Sequence, residues 1–240
     1  MQLAGRVAAI TGGTSSIGAG IARACLAEGA SVALMVPSGT EDDPVLAGLG
    51  TGDRTLVVPG DTSAQADVEG FIDATVERYG RIDVLVNNAG GAAPGRSLVE
   101  VTDEEWDLVL HRVLYSAFWA TRRALRVMIP ERRGRIINVS ANDVDRGGPP
   151  SPVLAAALSA VEGLTRSVAA AVADTGITVN SLCPGVVLAD GPTADSAGAS
   201  GVRRANTVEE VAAIALLMAS DAGGSITGAV VRVEGGAAHY

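Results

Sequence analysis

The sequence predicts a doubly wound α/β fold: one parallel sheet of seven strands with helices on both faces, spanning residues 1–240 as a single domain. Three observations lead there. Short β-rich runs alternate along the chain with longer stretches at helical spacing, the order that βαβ crossovers produce. A glycine-rich turn, TGGTSSIG (11–18), stands between the first run and the first helical stretch, where such folds hold phosphates. Thirty glycines against 3% aromatic residues suit tight turns and close helix-to-sheet contact better than an all-β sandwich.

Taken in order, RVAAI (6–10) is the first strand, and residues 17–28 carry a helical pattern. SVALMV (31–36) follows as a strand and runs into an acidic, Pro/Gly-punctuated stretch, 37–52, which predicts a loop. RTLVVP (54–59) and IDVLVNN (82–88) are strands around a helix at 64–79, and residues 104–129 predict one long helix. GRIINVS (134–140) and ITVNSLC (177–183) bracket a helix at 152–173. After an irregular stretch at 189–205 come a helix at 208–220 and the last strand, AVVRV (229–233). Both irregular stretches follow strands, on the sheet edge where such folds bind ligands.

Composition narrows the function. With 240 residues, 48% of them hydrophobic, the chain can bury one large core and is short for two domains. The mean hydropathy is +0.30 and the pI about 4.7. A formal charge of −9 argues against nucleic acid or an anionic membrane surface as a partner, because phosphates are repelled without a basic patch. The paired arginines 122–123, 132–133 and 203–204 read as solvated faces. All eighteen basic residues are arginine; the sequence contains no lysine. Cys25 and Cys183 lie in apolar contexts and predict buried free thiols in a reducing compartment, with no disulfide or metal site. The absence of a leader pattern and of an uninterrupted membrane-length apolar run predicts a cytoplasmic protein without membrane contact.

Further motifs add to the glycine turn: GDTS (60–63), NNAG (87–90), ITVNSLCPG (177–185) and ITGAVVRVEGG (226–236), all in order. With these the chain resembles the classical short-chain dehydrogenase/reductases, particularly the ketoacyl-reductase-like members, over nearly all of residues 6–236. The resemblance implies a Rossmann-like domain and a four-residue catalytic relay of Asn, Ser, Tyr and Lys. AVEGLTRS (160–167) and VNSLCPG (179–185) fix the alignment. The Tyr position then falls on Leu154, the Lys position on Leu158, the Ser position on Ala141 and the Asn position on Val113. All four are apolar, so this reading expects an atypical member with a degenerate tetrad. Hydride delivery to a carbonyl forms an alkoxide that needs a proton donor, and without lysine no shift of register restores the ammonium that the family places beside its tyrosine.

The resemblance also implies a dinucleotide site at Gly12, Ser16, Ile17 and Gly18 in the turn, Asp61 and Thr62 at the adenine end, and Asn88, Ala89 and Gly90 beyond the fourth strand. Ser16 stands where the family has its middle glycine. The second strand ends LMVPS, with neither an acid for a ribose hydroxyl nor an arginine for a ribose phosphate. Ala189 replaces a threonine expected at the nicotinamide. The expectation drawn from these departures is that no cofactor is required, with NAD(P) binding as the alternative.

Leu154 and Leu158, at i and i+4, share one helix face. The cleft they face is therefore either filled by protein or takes an apolar small molecule, since exposed leucine forgoes about 1.5–3 kcal/mol each. Candidate polar groups come from SANDVDR (140–146): Asn142 and Asp143 to orient a carbonyl or take a proton, Arg146 as counter-charge, or all three as a solvated turn. Tyr115, two residues past Val113, points to another helix face and reads as packing at a subunit contact. His111 reads as an exposed or capped helix residue. His239 and Tyr240 can be imagined entering a neighbouring subunit's site.

Three functions follow. The first is a specialised-metabolism enzyme of a polyketide-like substrate performing a non-redox step, such as cyclisation, isomerisation or dehydration. The second is a catalytically silent subunit paired with an active relative. The third is an unconventional NAD(P)-dependent oxidoreductase. A homodimer or homotetramer is expected, or a hetero-oligomer under the second reading.

Overall fold

The computed structural model describes residues 1–50, 52–88, 90, 95–141, 151–188 and 205–235. Seven strands pair in parallel throughout, in the order β3-β2-β1-β4-β5-β6-β9. They are β1 (Val7–Ile10), β2 (Ser31–Val36), β3 (Thr55–Pro59), β4 (Val84–Asn87), β5 (Gly134–Val139), β6 (Ile177–Pro184) and, last in the chain, β9 (Val230–Val233). This is the predicted sheet, with all seven strand runs in place. The two-residue strands β7 (Val187–Leu188) and β8 (Asn206–Thr207) form a separate parallel pair that is too short to read from sequence.

The strands are apolar at nearly every position because both faces are covered. Alternate side chains go to opposite sides. On one side Ala8, Ile10, Val32, Leu34, Val84 and Val86 pack with Ile21, Ala22 and Cys25 of α1 (Ser16–Ala27) and Val211, Ala215 and Met218 of α7 (Val208–Ala219). On the other, Ala9, Ala33, Met35, Leu85 and Ile136 pack with Phe71 and Ile72 of α3 (Gln65–Tyr79) and with Trp119, Ala120 and Met128 of α5 (Ser116–Met128). Both thiols, Cys25 and Cys183, are free and buried, as expected.

A short helix, α2 (Pro44–Ala47), interrupts the stretch predicted as irregular, with Asp43 as its N-cap and Pro44 opening it. The predicted helix over 104–129 is divided. α4 (Asp103–Leu110), started by a Thr102/Glu105 capping box, passes through a π-helical turn, His111–Tyr115, into α5. Within that turn the Ser116 N–H donates to the His111 carbonyl five residues back. α6 (Pro152–Ala171), capped by the Ser151 hydroxyl accepting from the Leu154 N–H at 3.4 Å, is long and apolar enough to cross a membrane by length and composition. It is a core helix here: Val153, Leu154, Ala157, Val161, Thr165 and Ala169 form its buried stripe.

Candidate functional site

Strand order reverses at β1, whose neighbours β2 and β4 lead to opposite halves of the sheet, and ligands bind beyond the carboxyl ends of strands at such a switch point. Beyond β1, Gly12 takes φ +66°, and a Cβ there would lie 2.6 Å from the Asn88 carbonyl oxygen. A Cβ on Gly18 would strike the Gly12 carbonyl oxygen, so both glycines are needed for the turn to close against the start of α1. Ser15 is the N-cap: its Oγ accepts from the Gly18 N–H at 3.0 Å and donates to the Gly12 carbonyl at 2.9 Å. Asn88 braces the turn from β4, its Nδ2 donating to Ser15 Oγ at 2.9 Å and to the Gly12 carbonyl at 3.1 Å, while its N–H donates to Thr11 Oγ1 at 3.0 Å. Asn88 thus serves the turn itself.

Among the described residues, the N–H groups of Ser16 and Ile17 at the head of α1 have no backbone or side-chain acceptor. No acidic residue stands in that first turn. Open amides at the positive end of a helix dipole are an anion site when a phosphate is at hand. A cleft of about 530 Å³ opens beside them, walled by Gly12, Thr14 and Ser15, by Met35 to Ser38 after β2, by Gly60, Asp61 and Thr62 after β3, by Asn88 and Gly90 after β4, and by Arg112. That volume is in the range of small-molecule and cofactor sites, and the donors present fit a dinucleotide. Asp61 is held below the usual carboxylate range by the Ser63 N–H, which donates to it at 2.8 Å, by the Ser63 hydroxyl, and then by the positive charge of Arg112.

Of the predicted dinucleotide residues, Gly12, Asp61, Thr62, Asn88 and Gly90 meet on this cleft. Ser16, Ile17 and Gly18 form the helix start beside it. Sequence reasoning missed Thr14, the wall from Met35 to Ser38, and Arg112. The signal for Arg112 was its place directly before Val113.

The four residues expected at the tetrad positions lie close together. Val113 from the π-turn, Leu154 and Leu158 from α6, and Ala141 after β5 belong to one apolar cluster with Ala117, Ala157 and Val161. Val113, Leu154 and Leu158 are 3%, 4% and 8% exposed, so of the two expectations for these leucines, burial by protein is what the structure has. Ser140, next to Ala141, is buried, and its hydroxyl donates to Glu162 Oε1 at 3.2 Å. Tyr115 lies apart from the cluster: it is 41% exposed and stacks on His111 at 4.6 Å between ring centroids. His111 Nδ1 donates to the Asp107 carbonyl at 2.8 Å. Asn142, Asp143, Arg146, Ala89, Ala189, His239 and Tyr240 lie outside the described residues. No metal-ligand cluster occurs among the described residues.

Comparison with known proteins gives a consistent result. The sequence model described as enoyl-(acyl carrier protein) reductase matches residues 12–238. The 3beta-hydroxysteroid dehydrogenase 2 of Eggerthella lenta is 34% identical, the match covering 99% of this chain and 96% of that protein. The monensin polyketide synthase putative ketoacyl reductase of Streptomyces virginiae is 36% identical, covering 100% and 99%. Among solved structures, levodione reductase superposes with a TM-score of 0.87 at 27% identity, covering 97% of each chain. A short-chain dehydrogenase/reductase from Serratia marcescens superposes at 0.86 with 30% identity, covering 98% and 99%.

These relatives are named as dehydrogenases and reductases, which corrects two expectations drawn from the sequence. A non-redox step is overturned in favour of oxidoreductase chemistry, the third of the three functions, and the silent-subunit reading falls with it. The expectation that no cofactor is required is overturned as well, because the relatives' chemistry is that of nicotinamide-dependent enzymes. The departures at Ser16 and at the end of β2 change individual contacts and leave the cleft and the open amides in place. On its motifs, its sheet order and these full-length matches, the chain belongs to the short-chain dehydrogenase/reductase family.

Proposed function

We propose that this protein is an NAD(P)-dependent oxidoreductase interconverting a carbonyl and an alcohol on an apolar small molecule, with a proton path different from its family's. The observation that carries the reading is the cleft at the switch point, with a closed glycine turn, two open amides at the head of α1 and no acid in the first helical turn. When bound, the nicotinamide supplies or accepts the hydride. The residues of this chain hold and orient: the amides of Ser16 and Ile17 would take the pyrophosphate, the hydroxyls of Thr14 and Ser15 flank it, and Asp61 stands at the adenosine end. The apolar substrate class is supported by the names of relatives that act on a hydroxysteroid and on ketoacyl groups.

The proton is the point of departure. Val113, Ala141, Leu154 and Leu158 can neither donate nor accept one, and Ser140 is committed to Glu162. In this reading water protonates the alkoxide, and the rate lies about 10²- to 10⁴-fold below that of an enzyme with a positioned acid. Exposed Leu108, Tyr115 and Phe118 on α4, the π-turn and α5 support a homo-oligomer. The test is dinucleotide oxidation by the purified chain with a panel of cyclic ketones and β-ketoacyl thioesters. Slow, saturable oxidation with at least one ketone is expected. Absence of turnover across the panel together with absence of dinucleotide binding would sink the proposal.

A further inference from the structure

The adenosine end of the cleft is asymmetric in charge. β2 leads into Met35, Val36, Pro37 and Ser38, so no carboxylate stands where a ribose hydroxyl would be gripped. Pro37 has no N–H, and its carbonyl already accepts from the Thr40 N–H at 3.1 Å and the Thr40 hydroxyl at 2.7 Å. Beside the Asp61 carboxylate, the side chains of the cleft wall offer the hydroxyls of Ser38, Thr14 and Thr62 and one guanidinium.

That guanidinium is Arg112, the only cation on the cleft wall among the described residues. The chain carries a net charge of −9, and its neighbours on α5 are paired: Arg122 with Glu69 at 2.6 Å, Arg123 with Asp73 at 2.7 Å. Arg112, by contrast, is exposed and makes no hydrogen bond or ion pair among the described residues; what it feels is the longer-range attraction of Asp61. Arg112 belongs to the π-turn. Within this turn Val113 is buried in the apolar cluster, Tyr115 stacks on His111 and Arg112 lines the cleft; π-turns recur at functional sites. A guanidinium that shares the cleft wall with the hydroxyls of Ser38 and Thr14, with no acid among Met35 to Ser38, suits a dianionic phosphate.

We infer that Arg112 selects the phosphorylated dinucleotide, its guanidinium binding a 2′-phosphate on the adenosine ribose, so that the cleft takes NADP(H) in preference to NAD(H). The inference rests on the proposed dinucleotide site and deepens it. Asp61 stays ionised, its Oδ1 accepting from the Ser63 N–H at 2.8 Å, so the attraction of Arg112 for a phosphate has to outweigh the repulsion from this carboxylate.

Calorimetric titration of the full chain with NADPH and NADH tests this without any turnover. NADPH is expected to bind about 10- to 100-fold tighter, the worth of a charge-assisted hydrogen bond converted to affinity. Arg112→Gln is expected to bring NADPH down to the NADH level while NADH affinity changes less than about twofold; exposure of Arg112 makes the fold tolerant of the change, and an unaltered melting curve confirms it. Equal binding of both dinucleotides by the natural chain overturns the inference and leaves the proposed function standing. So does equal weakening of both by Arg112→Gln, which is the signature of a guanidinium stacked on the adenine. Binding of neither dinucleotide overturns the inference and removes the main support of the proposed function as well.

Discussion

Leu154→Ala is the sharpest probe of whether the apolar cluster around α6 is closed. Leu154 is 4% exposed and packs in the cluster of Val113, Ala117, Ala157, Leu158 and Val161. The substitution removes three carbons, worth about 2.4 kcal/mol at about 0.8 kcal/mol per buried methylene. A cavity the surrounding helices cannot fully close adds to that, so the total is about 2.5–5 kcal/mol. Urea unfolding followed by circular dichroism measures it, as a lower midpoint at unchanged slope. A double-mutant cycle with Val113→Ala, across the contact between α6 and the π-turn, is expected to show coupling of at least about 0.5 kcal/mol. Were Leu154 instead the wall of an open cleft, most of the transfer term would be missing. A cost under about 1 kcal/mol would refute the reasoning, since it is well below what a closed apolar cluster demands.

Gly18→Ala places a methyl against the Gly12 carbonyl and near Asn88 Nδ2; it is expected to lower the melting temperature and to weaken dinucleotide binding at least tenfold, about 1.4 kcal/mol, both measurable on one sample by calorimetry. Carboxylates also set an acid limit. Asp221, hydrogen-bonded to and paired with Arg6, Glu69, hydrogen-bonded to Arg122, and Asp61, hydrogen-bonded to Ser63, are all held below their ordinary range. Each therefore binds fewer protons folded than unfolded; the stabilisation is complete above about pH 4.3 and is lost as pH falls through the folded values. Urea midpoints are expected to be insensitive to these groups at neutral pH and to fall modestly below about pH 4, since none of the three is buried and all are screened by solvent. Burial pushes the Cys25 thiol up to about 12, so a thiol reagent at neutral pH is expected to label it only after denaturation, at the rate of global unfolding.

The sheet was legible because a parallel strand buried on both faces leaves an unbroken apolar run: VAAI, SVALMV and GRIINV need no partner to be recognised. Helix boundaries were read well where caps are local, as with Ser151–Pro152 or Thr207. The π-turn at His111–Tyr115 was not, because one extra residue in a helical ladder leaves the apolar period almost unchanged. β7 and β8 have no periodicity in two residues each. Val113, Leu154 and Leu158 share one apolar cluster, with Ala141 packed against it, a contact between elements far apart in the chain. The place of Arg112 directly before Val113 is the one local signal for it; that it shares a wall with Ser38 and Asp61 depends on three separated elements meeting at one sheet edge. The turn is held by Gly12 and Gly18 and by the Asn88 side chain, all retained here, and the open amides belong to the backbone at the head of α1.

Deuterium transfer tests the central claim most directly. NADPH deuterated at its transferable position is incubated with the purified chain and an apolar ketone, and the alcohol is analysed by mass spectrometry. The account predicts one deuterium on the carbinol carbon, formed slowly and saturably, with the hydroxyl proton drawn from solvent. A product formed without the label, or without consumption of the dinucleotide, would contradict it.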